Sequence, residues 1–286
     1  MKLSAKTFIM SCMILLFLVG CSNLKIIYRQ LDWFLPAYID QYINLEDLQY
    51  RFVENKVDEL LHWHCSNELT QYADLLSAIA IDLKDKQIDR EKIAFYQSRV
   101  DDLWRHLAIQ ATPAIVEFFS TVSDEQLQQL SRKLDEQNTD IRDDFVDASK
   151  EDVRNLLAKR MRGRIERWID DLEAGQTAII NDWSMKAIGG QKLWFENRMT
   201  WQAHFLDAVK NYRQDQKRLS AELNHLINQP DDLRTQEYIQ QVKAYRQNIQ
   251  DLLLRLVTSM TEKQQGYMIN SLDSYASDFR DLACQT

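Results

Sequence analysis

Residues 238–256 read YIQQVKAYRQNIQDLLLRL, with apolar side chains at alternating spacings of four and three residues. The recurring positions are Tyr238, Val242, Tyr245, Ile249, Leu252 and Leu256. Because an α-helix turns once in about 3.6 residues, this spacing places all of them on one face. The segment therefore predicts a long helix packed in an elongated antiparallel bundle of several helices.

The rest of the chain also favours helices. Its 286 residues include six glycines and three prolines, and no useful stretch alternates apolar and polar residues as a strand does. We therefore expect an all-α fold. Helix boundaries are predicted near Ser66, at Thr112-Pro113, at Gly189-Gly190 and at 228–232, and Pro36 is expected to kink or divide the first helix.

Two of these boundaries carry more specific expectations. Thr112 as N-cap, with Pro113 as the first helical residue, predicts the start of a new helix. Gly189-Gly190 is the only double glycine and separates expected helices at 174–188 and 191–212. It predicts either a plain turn between helices or the division between two lobes.

The first residues have the pattern of a secretory signal. Lys2 and Lys6 precede an apolar run at 7–20, which is too short for a transmembrane helix. Residues 18–21, Leu-Val-Gly-Cys, resemble the bacterial lipobox. That resemblance implies that Cys21 becomes the lipid-bearing first residue of the mature chain. The alternatives are an ordinary signal peptide cut elsewhere, or a membrane anchor.

This interpretation divides the chain into three parts. They are a cleaved signal peptide at 1–20, a short lipidated tether at 21–25 and an all-helical domain at 26–286. Ser22, rather than aspartate, follows the lipidated cysteine, which indicates the periplasmic face of the outer membrane. The lipid makes the membrane the first expected partner.

Aromatic side chains open the helical domain at Tyr28, Trp33 and Phe34. So close to the lipid, they could touch the membrane interface. The commoner reason for such a stripe is packing on the protein body, and this is the interpretation that we expect.

The mature chain is acidic. Removal of the signal takes away Lys2 and Lys6 and leaves 33 basic against 43 acidic side chains, a net charge of −10. A negative field of this size repels phosphate backbones, and no basic cluster with interleaved aromatic residues opposes it. Nucleic acid is therefore excluded as an expected partner.

Of the four cysteines, Cys12 leaves with the signal and Cys21 carries the lipid. Cys65 and Cys284 would then face an oxidising compartment, where two remaining cysteines suggest one disulfide. The alternative is two free thiols. The sequence does not decide between them, because a disulfide requires that the two Cα atoms lie close together.

One short pattern recurs along the chain: an apolar residue followed four positions later by glutamine at an expected helix start. It occurs at Val122/Gln126, Leu172/Gln176 and Met260/Gln264, and more weakly at Leu45/Gln49. Ser123 with Gln126, and Thr261 with Gln264, fit the capping box. Glu173 stands where serine or threonine is expected before Gln176. Stabilisation of helix starts is a sufficient reason for the pattern.

The same pattern resembles the Leu-Thr-x-x-Gln motif of the periplasmic Spy and CpxP proteins, all-helical factors of envelope stress. Over most of its mature length the chain is similar to a family of uncharacterised proteobacterial lipoproteins. The resemblance rests on the lipobox, the repeated glutamines and the segments Leu31-Asp-Trp-Phe34 with Tyr42, Leu61-His-Trp-His64 with Glu68-Leu69 and Tyr72, and Trp168-Ile-Asp-Asp-Leu172. This family implies no activity.

Residues for catalysis or metal binding do not form a familiar motif. His62 and His64 are two positions apart and point about 200° away from each other on a helix, which suits one ion poorly. We expect no metal, no cofactor and no catalytic residue. If a binding or active site exists, Trp63, His64 and Glu68 are its first candidates.

The leading functional hypothesis is a non-catalytic binding, scaffold or chaperone-like lipoprotein that presents a groove to another envelope protein or an unfolded client. A second hypothesis is a binder of an apolar ligand between helices, suggested by the many Trp and Tyr residues. The third and least favoured hypothesis is an enzyme, because the sequence shows no convergent titratable groups.

Overall fold

The computed structural model describes residues 23–284, which form twelve α-helices and no strand. The helices are α1 Asn23–Arg29, α2 Leu31–Ile43, α3 Asp47–Asn67, α4 Leu69–Lys84, α5 Arg90–Phe119, α6 Asp124–Phe145, α7 Lys150–Ile169, α8 Ala174–Ala187, α9 Gln191–Tyr212, α10 Gln216–Asn228, α11 Gln236–Ser259 and α12 Glu262–Leu282. A short 3₁₀ turn, Pro230–Leu233, lies between α10 and α11. The prediction of an all-α bundle is confirmed. The expected signal peptide, Cys21 and Ser22 lie outside the described residues.

Side chains fix many of the helix starts. Each capping oxygen accepts the backbone N–H three residues further on and so satisfies a donor that the first turn leaves unpaired. Such caps are formed by Asp89, Ser149, Asp215 and Thr235. In the described part of the chain, no helix is both long and apolar enough to span a bilayer.

Most of the expected boundaries are present. The break near Ser66 falls between α3 and α4, and the break at 228–232 contains the 3₁₀ turn. The double glycine joins α8 to α9 as a turn, in which Gly189 has a φ of 105°. Glycine adopts this backbone conformation at no steric cost.

The predicted helix start at Thr112-Pro113 is wrong. α5 continues through both residues for 30 residues in all. The Thr112 hydroxyl donates to the carbonyl oxygen of Ala108 at 2.6 Å, and its side chain is fully buried. Because the hydroxyl turns back onto the preceding helical turn, it is not available as a cap. Pro36 does not divide α2, which runs through it, and the break in that region falls earlier, at Gln30.

The three aromatic residues near the amino end have different surroundings. Tyr28 packs on His64, with ring centroids 5.8 Å apart, and Phe34 stacks on Tyr38 at 5.9 Å. Trp33 is 65% exposed. The expectation of packing on the body is therefore confirmed for Tyr28 and wrong for Trp33, while the ring contact of Phe34 lies within its own helix and does not test the expectation.

Two groups of four helices share one pattern of contacts. In the first group α2 packs on α3 and α6, and α3 packs on α5; in the second group α7 packs on α8 and α12, and α8 packs on α11. The remaining helices cross between the groups. α4, from the first half of the chain, packs on α12, while α9 and α10 pack on α6 and α5 respectively.

The largest cluster of buried apolar residues follows from this crossing. It joins side chains of α2, α3, α5 and α6 with others from α9 and α10. A smaller cluster joins α7, α8 and α11. The chain therefore passes at Gly189-Gly190 from a helix of the second group to one that packs on the first. The division into two lobes there stays a prediction.

Candidate functional site

Four buried glutamines hold the starts of α3, α6, α8 and α12. In each, the amide oxygen accepts the backbone N–H of the residue before the helix at 2.9–3.0 Å. The structure contains the capping boxes expected at Ser123/Gln126 and Thr261/Gln264. Glu173 completes a box with Gln176, and Glu46 completes one with Gln49. A carboxylate thus replaces the expected hydroxyl at two of the four starts.

The glutamines also bind one another in pairs, which the sequence analysis did not predict. In the first pair, Gln49 Nε2 donates to Gln126 Oε1 at 3.1 Å, and Gln126 Nε2 donates to Gln49 Oε1 at 2.6 Å. Each Nε2 also reaches a main-chain carbonyl beside the partner helix. Gln126 donates to Asn44 at 3.0 Å, and Gln49 donates to Thr121 at 3.2 Å.

The second pair repeats this arrangement in the other group of helices. Gln176 Nε2 donates to Gln264 Oε1 at 2.8 Å, and the reverse bond measures 2.9 Å. Gln264 also donates to the carbonyl of Asp171, and Gln176 to that of Ser259. In all four cases the carbonyl lies five residues before the partner glutamine. The two helix groups therefore share the same reciprocal hydrogen bonding between two glutamines as well as the same pattern of helix contacts.

This pairing of side-chain amides explains why the motif uses glutamine. A glutamate could complete a capping box but could not donate to the partner's oxygen and to a carbonyl. The recurrence of glutamine, and not glutamate, at all four helix starts was the sequence signal that could have indicated this pairing. Each buried amide is satisfied by these bonds, so the motif holds helices together and supplies no reactive group.

An apolar groove lies beside the first glutamine pair, between α2, α3 and α5. We call it groove 1; its volume is about 620 Å³. Its lining includes Ile39, Tyr42, Phe52, Pro113 and Phe118. The charged side chains that contact it are Lys56, Glu59 and Glu117, and Lys56 Nζ lies 2.9 Å from Glu59 and 4.0 Å from Glu117. Because Lys56 pairs with both glutamates, these charges largely neutralise one another. The groove is therefore mainly an apolar surface.

Groove 2, of about 680 Å³, adjoins groove 1 along α5 and is lined mainly by residues of α5, α9 and α10. Trp104 and Trp201 line it, and Trp104 is 69% exposed. Trp201 stacks on Phe205 and donates its indole N–H to the carbonyl of Leu226 at 2.9 Å. Its orientation is therefore fixed by a hydrogen bond as well as by packing.

The two grooves share a wall. Leu60, Ala111, Ile115 and Phe119 contact both. Small residues of α5 line both grooves as well, Ala114 in groove 1 and Ala108 in groove 2. The apolar linings of the two grooves therefore meet at the four shared residues.

The candidates Trp63, His64 and Glu68 lie at the carboxyl end of α3, beyond Leu60. His64 is packed between Tyr28 and Tyr72, and its Nδ1 lies 3.0 Å from the Tyr28 hydroxyl. Burial lowers the pKa of His64 and so favours the neutral ring. These contacts tie α1 to α3 and α4.

Glu68 is 3% exposed and lies between α3 and α4. Its Oε1 is 3.3 Å from His106 Nδ1. Among the described residues, no hydrogen bond joins Trp63 to this carboxylate. Trp63 also lines neither groove. The structure therefore places His64 and Glu68 in packing between helices, and a binding role for the three residues stays a prediction.

The buried His64 predicts a dependence of stability on pH. Its folded pKa lies below the unfolded value, so the unfolded chain binds the extra proton first and stability falls as the pH falls below about 6.5. Between pH 6.5 and 5.5 the wild type should lose up to about 1 kcal/mol more than His64→Gln. Urea unfolding at several pH values measures this loss. The exposed His204 is the control: His204→Gln should keep the wild-type dependence, and equal slopes for wild type and His64→Gln would contradict the prediction.

A disulfide joins Cys65 in α3 to Cys284, just after α12, with the Cα atoms 5.1 Å apart. This is the first of the two alternatives that the sequence left open. His62 lies within 4.8 Å of both sulfur atoms, a grouping that could hold a metal ion. While the disulfide is intact, however, neither sulfur is a free thiolate, and thiolate is the form that binds metals.

These features define an all-helical protein in which two pairs of buried glutamines hold helix starts together and two apolar grooves lie along α5. A family model described as a family of unknown function, DUF6279, matches residues 41–239, and the chain belongs to this family. No curated protein matches the chain, and neither does any solved structure. The matched range includes both grooves except for parts of α2, and it ends near the start of α11.

Proposed function

We propose that this chain is a lipid-anchored protein of the bacterial envelope that binds an extended apolar segment of another protein in grooves 1 and 2. Cys21 would carry the lipid and hold the body at the periplasmic face of the outer membrane. The observation that carries the proposal is the pair of adjoining apolar grooves along α5, whose linings share four residues.

The length and chemistry of this region support a protein segment as its occupant. Two grooves in series suit a chain that continues past one site better than a compact molecule. Trp104 presents an exposed aromatic surface beside the deeper walls, and aromatic residues dominate the binding energy of many protein interfaces. The ion pairs of Lys56 with Glu59 and Glu117 suit a binding rim rather than a proton-transfer site.

Photocrosslinking in living cells tests the proposal. p-Benzoylphenylalanine at position 104 probes groove 2, and the same residue at position 59 probes groove 1. Both should form adducts with another protein at least several-fold above the level at position 185. Met185 on α8 is the matched control, since it is 52% exposed and lines neither groove. Equal adduct yields at the three positions would overturn the proposal.

The second candidate function is binding of an apolar small molecule. Each groove has a volume in the range of roughly 300–1,000 Å³ that is usual for small-molecule sites. The same crosslinking experiment separates the two candidates by adduct mass. A gain of less than about 1 kDa at position 104, without protein adducts, would favour this second function.

A further inference from the structure

The exposed side of α1 and of the first turn of α2 carries two large apolar side chains beside charged and polar ones. Ile26 is 53% exposed and Trp33 is 65% exposed, and Arg29 and Gln30 between them are exposed as well. Ile26 and Arg29 are three positions apart on α1 and so share a helix face. Gln30 lies in the turn after α1, and Trp33 lies in the first turn of α2. We call these four exposed residues the tether face.

The opposite side of the same segment is fixed to the body. Lys25 pairs with Asp278 at 3.2 Å and also with Asp281, both on α12. Tyr28 stacks on His64 of α3. Because these contacts hold one side of α1, the tether face is turned away from the protein and has a fixed orientation.

The distance from the lipid limits what can cover this face. Cys21 lies two residues before Asn23, at most about 7 Å away in an extended chain. Trp33 lies ten residues beyond Asn23, about 15 Å along helical segments. A lipid on Cys21 therefore keeps the whole tether face within reach of the bilayer surface, whose polar zone is roughly 5–8 Å thick on each side.

We infer that the tether face lies on the lipid bilayer, with Trp33 in the zone between head groups and acyl chains. The inference rests on the proposed lipidation of Cys21. Tryptophan suits this zone because its ring is apolar and its N–H is a hydrogen-bond donor. Arg29 can pair with lipid phosphates, while Ile26 adds apolar area. The anchored body is thereby held in one orientation instead of swinging on its lipid.

Quenching of tryptophan fluorescence tests this contact. The full lipidated chain is reconstituted in vesicles of phosphatidylethanolamine and phosphatidylglycerol whose acyl chains carry bromine, a quencher that acts at short range. We expect the wild type to lose about the emission of one of its seven indoles and Trp33→Phe to lose none. Trp104→Phe is the matched control, because Trp104 is similarly exposed but lies on α5, and this variant should be quenched like the wild type.

Two results would overturn the inference in distinguishable ways. Intact mass spectrometry of the purified chain first shows whether Cys21 carries the lipid; a chain without that mass would overturn the anchoring, and with it the orientation. A lipidated, vesicle-bound chain whose quenching is the same in wild type and Trp33→Phe would overturn the tether face alone and leave the anchoring intact.

Discussion

Replacing Gln126 by alanine is expected to lower the free energy of unfolding by about 2–4 kcal/mol. The substitution removes one capping box and both bonds to Gln49, which is itself only 8% exposed. Gln49 then keeps only its bonds with Thr121 and with the N–H of Glu46. The N–H of Ser123 and the carbonyl of Asn44 lose their bonds to Gln126, and unsatisfied buried polar groups are costly. Urea unfolding followed by circular dichroism measures the change.

The same helix provides a matched control. Gln128 lies two residues away on α6 and is exposed, so Gln128→Ala should change stability by less than about 0.5 kcal/mol. The double substitution Gln49→Ala/Gln126→Ala should cost less than the sum of the two single ones by about 1 kcal/mol or more, because the two amides act as a unit. Additive losses, or a Gln126→Ala loss as small as that of Gln128→Ala, would contradict the role of the pair.

Breaking the Cys65–Cys284 bond is expected to cost about 2–5 kcal/mol. The bond spans 219 residues, and closing so long a loop strongly restricts the unfolded chain. The loop-entropy relation gives about 5 kcal/mol at this length, which sets the upper end. Thermal and urea unfolding with and without reductant should show the difference.

The double substitution Cys65→Ala/Cys284→Ala provides the comparison. Its stability should match that of the reduced wild type and should not respond to reductant. Alkylation of unreduced, denatured wild type gives an independent measurement, in which no free thiol is expected from this pair. Two alkylated residues would show that the disulfide is absent and would remove the basis of the predicted loss.

Local signals in the sequence predicted much of this fold. The spacing of Tyr238, Val242 and Tyr245 identified α11, and Gly189-Gly190 marked the turn before α9. Ser123 and Thr261 were recognised as caps because each of these interactions involves residues only three positions apart. Thr112-Pro113 misled because the same residue types also fit inside a helix when the hydroxyl bonds to the preceding turn. The start of α10, which Asp215 caps, was missed.

The candidate site was less accessible to sequence reasoning. The glutamine pairs join residues 77 and 88 positions apart, and no local pattern states which helix start meets which. The grooves arise where α5 lies beside α3, α9 and α10, so they depend on packing of distant segments. Trp33 had the same local signal as Tyr28 and Phe34, and only its surroundings in the folded chain distinguish it.

The order of synthesis along the chain determines when the disulfide can form. Cys284 is made 219 residues after Cys65, which at ordinary rates of synthesis is a delay of roughly 10–40 seconds. During this interval Cys65 is a thiol without its partner, although α3 and α4 are already complete. The bond can close only after α12 has been made and has docked on α4. Oxidation of this pair is therefore a late step in the folding of each molecule. The presence of the disulfide distinguishes chains in which α12 has packed on α4.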